Sequence, residues 1–189
     1  MTYDLVTEFQ TRLTAAGATV RDIGGVSNWE MALTEVWTCQ IVPVLPADAS
    51  RFVSGWVDAP ALQEIIESVW PVRWGDVEPS DRALVPVGLT GCAWAAADTG
   101  TVALYGRSET PLWPSVLPRV HVVCVARHAI VSTVAEGLAR LRQDLDREAH
   151  PTQVKLISGP SMTADIEGEL IIGVHGPKHL IVLVYDSIL

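Results

Sequence analysis

Four short segments of the chain combine glycine with hydroxyl, acidic or imidazole side chains, which are the groups that could do chemistry. The segments are Gly88–Gly91 (GLTG), Asp98–Thr101 (DTGT), Ser158–Glu167 (SGPSMTADIE) and Gly173–Pro177 (GVHGP). Glycine allows positive φ angles and a close approach of a ligand to backbone amides, and hydroxyl and imidazole groups add hydrogen bonds. The segments predict a site for a small anionic metabolite or a partner.

Three titratable side chains in these segments, Asp98, Glu167 and His175, could orient a ligand or exchange a proton with it. Hydroxyl and backbone N–H groups around them could hold carboxylate or phosphate oxygens. The candidate ligand-binding residues are Thr90, Gly91, Thr99, Gly100, Thr101, Gly159, Ser161, Thr163, Asp165, Gly173 and Gly176.

Two other chemistries use the same residues. Ser161, His175 and Asp165 could form a hydrolytic triad, although no G-x-S-x-G sequence surrounds Ser161. These residues could equally have a structural role. The hydroxyl and carboxyl groups of Ser161, Thr163 and Asp165 could cap a helix or a tight turn, and His175 could hydrogen-bond to a turn. Asp98-Thr99-Gly100 spells the aspartic-protease triplet, but that site needs two copies in an all-β protein.

No metal or cofactor is predicted from the motifs. His175 and His179 are four residues apart, but Pro177 between them rules out the helical spacing of metal ligands. There is no glycine-rich dinucleotide motif and no P-loop. An odd number of cysteines without a Cys-x-x-Cys pair argues against a disulfide framework and against zinc or iron–sulfur ligation. These cysteines are Cys39, Cys92 and Cys124.

The composition describes an acidic globular protein with ample core material. The 189 residues are 49% hydrophobic, and 13 basic against 22 acidic residues give a net charge of −9. Binding to nucleic acid or to an anionic membrane needs clustered lysine and arginine, and only two lysines occur, Lys155 and Lys178. The amino-terminal residues lack the features of a signal peptide, and runs such as Leu180–Tyr185 are too short to span a membrane. A cytoplasmic protein is expected.

Strand and helix patterns alternate along the chain, with strands predicted at Thr101–Tyr105, Val120–Val125, Gln153–Ile157 and Leu180–Tyr185. An apolar stripe predicts the longest helix, and its members are Ile130, Val134, Leu138, Leu141 and Leu145. This alternation predicts an α/β fold, with a mostly parallel sheet and helices on both faces, as a single domain over residues 1–189. Ligands of such sheets bind beyond the carboxyl ends of the strands.

The segments Gly88–Gly91, Ala97–Thr101 (ADTGT), Ser158–Glu167 and Gly173–Pro177 together resemble the signature of the lactate utilization protein C family (LutC/YkgG, the LUD domain). The resemblance covers roughly the last hundred residues, whereas the first eighty match in layout only. It implies the fold of glucosamine-phosphate deaminases, ribose-phosphate isomerases and CoA transferases, the NagB/RpiA/CoA-transferase-like fold.

The resemblance also implies a function. Members of the family act with two iron–sulfur proteins in oxidising L-lactate to pyruvate, so the chain is expected to be an accessory or ligand-binding subunit. The alternative is a free-standing enzyme of CoA-transferase or sugar-phosphate-isomerase type. Many relatives carry Glu at the position of Asp98, and some CoA transferases use such a Glu as a covalent nucleophile. The shorter Asp98 argues against that mechanism and leaves a binding role.

Tryptophans are concentrated in the amino-terminal half of the chain. Two of them, Trp70 and Trp74, flank Pro71, Arg73 and Gly75. They could be core residues, or they could form an exposed anchor for a partner protein.

Overall fold

A sheet of six parallel strands forms the centre of the molecule, for which we use a computed structural model. The structure describes residues 4–25, 29–49, 52–74, 77–108, 110–146, 150–166 and 169–186. The strands of this main sheet are β1 (Thr19–Gly24), β2 (Val53–Trp56), β3 (Val72–Trp74), β4 (Val87–Thr90), β7 (Val120–Ala126) and β12 (His179–Tyr185). Their spatial order is β1-β12-β7-β4-β2-β3, and every neighbouring pair is parallel.

A second, smaller sheet lies against one face of the main sheet. Its strands are β5 (Trp94–Ala96), β6 (Thr101–Gly106), β8 (Ile130–Val131) and β9 (Gln153–Ile157). Their order is β8-β5-β6-β9, and β9 pairs antiparallel with β6. An antiparallel hairpin follows β9, formed by β10 (Met162–Ile166) and β11 (Glu169–Ile172). The sequence did not predict the separate sheet. Hydrophobic periodicity and strand propensity identify a strand, but they do not show which strands it pairs with.

Four α-helices cover the sheets, and they are α1 (Leu5–Ala15), α2 (Trp29–Val36), α3 (Pro60–Val69) and α4 (Val134–Leu145). Helices α2 and α3 bury Leu33 and Leu62 against one face of the main sheet. On the other face, Phe9 and Leu13 of α1 share a core with Val102 of the smaller sheet. The predicted α/β fold, with a mostly parallel sheet and helices on both faces, is confirmed.

Helix α4 packs on the outer face of the smaller sheet, and its apolar stripe differs from the predicted one. Ile130 lies in β8, and Leu138 and Leu145 are exposed. Val134 and Leu141 of the predicted stripe do pack on the smaller sheet. Gly137 lies between them in the helix, and a Cβ atom at this position would lie 2.3 Å from the Trp94 ring. The glycine lets the helix approach this large buried side chain, and that contact decides which face is buried.

Trp70 belongs to the core. Its side chain is buried, and its indole Nε1 donates a hydrogen bond to the Leu33 carbonyl oxygen at 3.0 Å. Trp37 packs beside it with ring centroids 5.8 Å apart. The exposed-anchor interpretation of Trp70 is therefore wrong, and Trp74 is half-buried.

Candidate functional site

A cavity of about 530 Å³ lies at the amino-terminal ends of β7 and β12, where these strands meet the carboxyl end of β9. Residues of both sheets and of two connecting loops line it. Its polar lining residues are Ser115, His121, Lys155, Ser158, Ser161 and His175. The two loops are the segments that follow β9 and precede β12, so the cavity joins two of the four glycine-containing segments.

Lys155 brings a charged side chain to this lining. It is half-buried, and its ammonium group donates to the Ser115 carbonyl oxygen at 2.7 Å and to Ser115 Oγ at 3.1 Å. Burial lowers the pKa of Lys155, and no carboxylate among the described residues offsets this effect. An ammonium group carries three N–H donors, and the described residues accept through Ser115 alone, at its carbonyl oxygen and its Oγ.

His121 lies deeper, on β7, and is almost completely buried. Its Nε2 atom and Thr90 Oγ1 are hydrogen-bonded at 2.9 Å. Burial lowers the pKa of His121 to about 3, and the nearby Lys155 charge adds to the shift. The imidazole is therefore neutral at physiological pH, and it contributes a polar surface without charge.

The two loops at the cavity bond to each other through their backbones. The Ser161 N–H donates to the Pro177 carbonyl oxygen at 3.0 Å, and the Gly173 N–H donates to the Ser161 carbonyl oxygen at 2.8 Å. A Cβ atom at Gly176 would lie 3.2 Å from Ser161 Cβ. Two of the predicted amide donors are thus used inside the protein, while the Ser161 side chain lines the cavity.

The β5–β6 turn reaches the cavity through a chain of hydroxyl groups. Thr99 Oγ1 donates to Asp98 Oδ1 at 3.2 Å and lies 2.7 Å from Thr101 Oγ1, which in turn lies 2.7 Å from Ser158 Oγ. Gly100, with φ of +63°, lies against α1, where a Cβ atom would be 2.6 Å from the Leu13 nitrogen. The turn therefore supports Ser158, and Asp98 lies three hydrogen bonds behind this lining residue.

Several other predicted site residues lie away from this cavity. Gly91 lies at the carboxyl end of β4, where its N–H donates to the Trp56 carbonyl oxygen at 2.9 Å. Gly173 belongs to a neighbouring groove that contains Lys178, and half-buried Thr163 lies on β10. Gly159 does line the cavity, with φ of +150° and its backbone close to Ala16. Glu167 and the Asp165 side chain lie outside the described residues.

This cavity does not lie beyond the carboxyl ends of the main strands, which is where the sequence analysis expects ligands to bind. The segment Gly173–Pro177 precedes β12 and thus enters that strand at its amino end. At the carboxyl end of the same strands, Arg127 pairs with Asp22 at 2.8 Å and with Asp186 at 2.6 Å. That cation is already neutralised by two carboxylates, so an anionic ligand gains little from it.

The sequence analysis did not propose Ser115, His121 or Lys155 as site residues. Two signals could have found Lys155. It is one of two lysines in the chain, and it lies in the middle of an otherwise uncharged predicted strand. A charge at such a position must face solvent, a partner or a cavity.

In the described part of the chain, no three His, Cys, Asp or Glu side chains are grouped as metal ligands would be. None of the helices described there is long and apolar enough to cross a membrane.

The fold and the signature loops define the family. The chain matches the LUD domain over residues 80–185, and it belongs to that family. Relatives with the name lactate utilization protein C include those of Shouchella clausii, 30% identical over 120 residues, and Macrococcus caseolyticus, 36% identical over 147 residues. The matches cover 64% and 76% of this chain but 52% and 62% of those proteins, so the chain spans little more than half of their length.

A solved structure shares the fold over nearly the whole chain. A DUF162 family protein from Deinococcus radiodurans superposes with a TM-score of 0.66 and 23% sequence identity, and the match covers 96% of each chain. At this level of identity the likeness concerns the fold alone.

Proposed function

We propose that this chain is the ligand-binding component of a lactate utilization system, and that the cavity around Lys155 binds a small anion. The observation that carries the proposal is a half-buried ammonium group in the wall of a cavity, for which the described residues supply no carboxylate partner. An unpaired buried charge costs free energy, and a bound anion would remove this cost. The names of the relatives supply the pathway.

The oxidation of L-lactate to pyruvate would require partner proteins that carry electrons. Cys39, Cys92 and Cys124 are far apart in the sequence and form no Cys-x-x-Cys pair. The resemblance to the lactate utilization protein C family implies iron–sulfur partners, and we propose that such proteins act together with this chain and supply the clusters. In this arrangement the chain holds a ligand and the partners move electrons.

Growth on L-lactate tests the proposed role. In a host whose copy of this chain is deleted, Lys155→Met should fail to restore growth on L-lactate, while growth on glucose stays normal. Lys178→Met is the matched control, because Lys178 is the other lysine, is exposed and lies outside the cavity lining. Normal growth on L-lactate with Lys155→Met at wild-type protein levels would contradict the proposal.

The partners are tested by affinity purification from the same host. The chain should co-purify with iron–sulfur proteins, and the eluate should reduce a dye in an L-lactate-dependent reaction. A single pure chain without either result would contradict the subunit role.

A further inference from the structure

We infer that Ser158 faces the cavity as a hydrogen-bond acceptor, and that a ligand must therefore present an O–H or N–H group at this position. The inference deepens the proposed function and rests on its assignment of the cavity as the ligand site. It follows from the direction of the hydrogen bonds that connect Ser158 with Asp98. Asp98, Thr99 and Thr101 are positioning residues in this arrangement, because they act through another side chain.

Each hydroxyl group between Asp98 and the cavity has one hydrogen to donate, so the first hydrogen bond sets the direction of the others. A carboxylate can only accept, and Thr99 Oγ1 therefore donates to Asp98 Oδ1 at 3.2 Å. With its hydrogen used, Thr99 Oγ1 must accept from Thr101 Oγ1 at 2.7 Å. Thr101 then has no hydrogen left, and its oxygen accepts from Ser158 Oγ, also at 2.7 Å.

The opposite orientation of the Ser158 hydroxyl is costly. If Ser158 donated into the cavity, its oxygen and that of Thr101 would face each other at 2.7 Å without a hydrogen between them. Thr101 is only 4% exposed, so water cannot replace the missing donor. Ser158 therefore offers lone pairs to the cavity that it lines, and a ligand group beside it must supply the hydrogen.

Contacts with α1 and its C-cap fix both ends of this hydroxyl chain. Gly100, with φ of +63°, lets the β5–β6 turn approach the helix so closely that a Cβ atom would lie 2.6 Å from the Leu13 nitrogen. Gly159 follows Ser158, and a Cβ atom there would lie 2.9 Å from the Ala16 carbonyl oxygen. The two contacts hold the turn and the loop side by side, which keeps the oxygen–oxygen distances short.

The polarity of Ser158 is opposite to that of Lys155, which lines the same cavity two residues earlier. An ammonium group can only donate, whereas Ser158 accepts. The site therefore favours a ligand with an acceptor for Lys155 and a donor for Ser158 over a ligand that offers acceptors to both. A site built to bond a ligand hydroxyl discriminates against an analogue that lacks the hydrogen.

Neutron diffraction of the deuterium-exchanged protein, crystallised without a ligand near neutral pH, tests the direction of the bonds. The deuterium on Ser158 Oγ should point at Thr101 Oγ1, and the deuterium on Thr99 Oγ1 should point at Asp98. A Ser158 deuterium that points into the cavity would overturn the inference.

Binding is tested with L-lactate and its O-methyl ether, two probes that differ by replacement of the hydroxyl hydrogen. Calorimetric titration should show the alcohol binding to the wild-type chain at least about tenfold more tightly than the ether. The ether is also larger, so the decisive quantity is the change of this affinity ratio in variants that reverse the hydroxyl of Ser158.

Thr99→Val removes the link to Asp98 at an exposed position. Thr101 can then donate to Ser158, whose own hydrogen can turn to the cavity and bond the ether oxygen, so the ratio should fall several-fold. Thr7→Val is the matched control, because Thr7 is likewise an exposed threonine that donates to an aspartate, Asp4, but lies outside the cavity lining. It should leave the ratio unchanged.

The polarity of Ser158 and the proposed role fail separately. Equal affinity for the alcohol and the ether, no binding of either probe, or a ratio that Thr99→Val leaves unchanged overturns the inference. The role in lactate utilization fails only in the growth experiment, through normal growth of the Lys155→Met strain.

Discussion

At the scale of single residues, the chemistry of the site depends on the protonation states of Lys155 and His121. Burial lowers the pKa of Lys155 and that of His121, and their mutual repulsion lowers the pKa of His121 further. The ordinary pKa of a lysine is 10.5, and Lys155 stays cationic near neutral pH. His121 is neutral there. The pair therefore offers one positive charge, and that charge is more sensitive to alkali than an ordinary lysine.

Anion affinity should consequently fall with rising pH. A bound anion favours the ammonium form and raises the pKa of Lys155, so binding takes up protons over the window between the lowered pKa of the free protein and the higher pKa of the complex. His121 stays neutral throughout this window, because burial holds its pKa at about 3. Calorimetry of L-lactate binding in two buffers of different ionisation enthalpy measures this uptake.

The free protein should show the opposite trend in stability. Because the pKa of Lys155 is lower in the folded than in the unfolded state, the unfolded chain binds more protons between the two values, and this residue's contribution to the free energy of unfolding rises with pH there. Lys155→Met should remove that rise, as denaturant titrations at several alkaline pH values would show. An identical pH dependence in the variant would contradict the lowered pKa.

At the scale of elements, β9 positions most of the site. It pairs with β6 over five residues, from Val102 opposite Ile157 to Gly106 opposite Gln153. This register places Lys155 at the main sheet and ends the strand beside the β5–β6 turn. The hydroxyl chain from Thr101 to Ser158 then fixes the start of the loop. Strand pairing thus brings together residues that are more than fifty positions apart.

The contact between α4 and the smaller sheet should not tolerate a larger residue. Gly137→Ala gains about 1 kcal/mol of helix propensity, but its Cβ atom would overlap the buried Trp94 ring. We expect a net loss of about 1–3 kcal/mol in the free energy of unfolding, measured by urea titration. The control is Ala135→Gly, which lies on the exposed side of the same helix and loses propensity only. A Gly137→Ala variant more stable than the wild type would show that α4 can move away from Trp94.

The carboxyl ends of β1, β7 and β12 should be held partly by the ion pairs of Arg127. Its side chain is about one-third exposed, so Arg127→Met should cost only about 1 kcal/mol, and the difference should shrink in ~1 M salt. Arg140→Met removes an exposed pair with Glu136 and should cost less. Thermal unfolding of both variants at low and high salt measures the two effects, and equal losses would show that Arg127 acts as a surface pair only.

At the scale of the whole molecule, two sheets pack against each other and enclose the cavity at one end of their interface. Their shared core includes Leu13, Val102 and Val182, and the core on the opposite face of the main sheet buries Cys124. Burial raises the pKa of Cys92 and of Cys124 to about 12, whereas Cys39 is exposed. Thiol reactivity therefore reports on the integrity of the fold.

A thiol reagent should modify one cysteine quickly in the native protein. We expect Cys39 to react at mildly alkaline pH, and Cys92 and Cys124 to react only as the protein unfolds, because the thiolate is the reactive form. Cys39→Ser should then leave a native protein without fast labelling, and denaturant should restore two reactive thiols. Fast labelling of the Cys39→Ser variant would show that the core opens locally.

Much of the fold followed from local patterns. The strands near Thr101, Val120 and Leu180 were predicted within one residue, because buried apolar runs reflect strands covered on both faces. The strand Gln153–Ile157 was predicted with its observed bounds, although most of its residues are exposed. The stripe of α4 was wrong at Leu138 and Leu145, since periodicity does not show that a tryptophan on another element fills the space beside Gly137.

The sequence by itself determined the α/β class, the family and the two loops that meet at the cavity, because these depend on residue types at short spacing. Only the tertiary structure decided that Lys155 and His121 share one cavity, that Gly91 lies at the opposite edge, and that the cavity is at the amino ends of β7 and β12. These facts depend on strand order and register, which join distant parts of the chain. Burial, and with it the charge state of each group, follows from that packing and cannot be read from residue types.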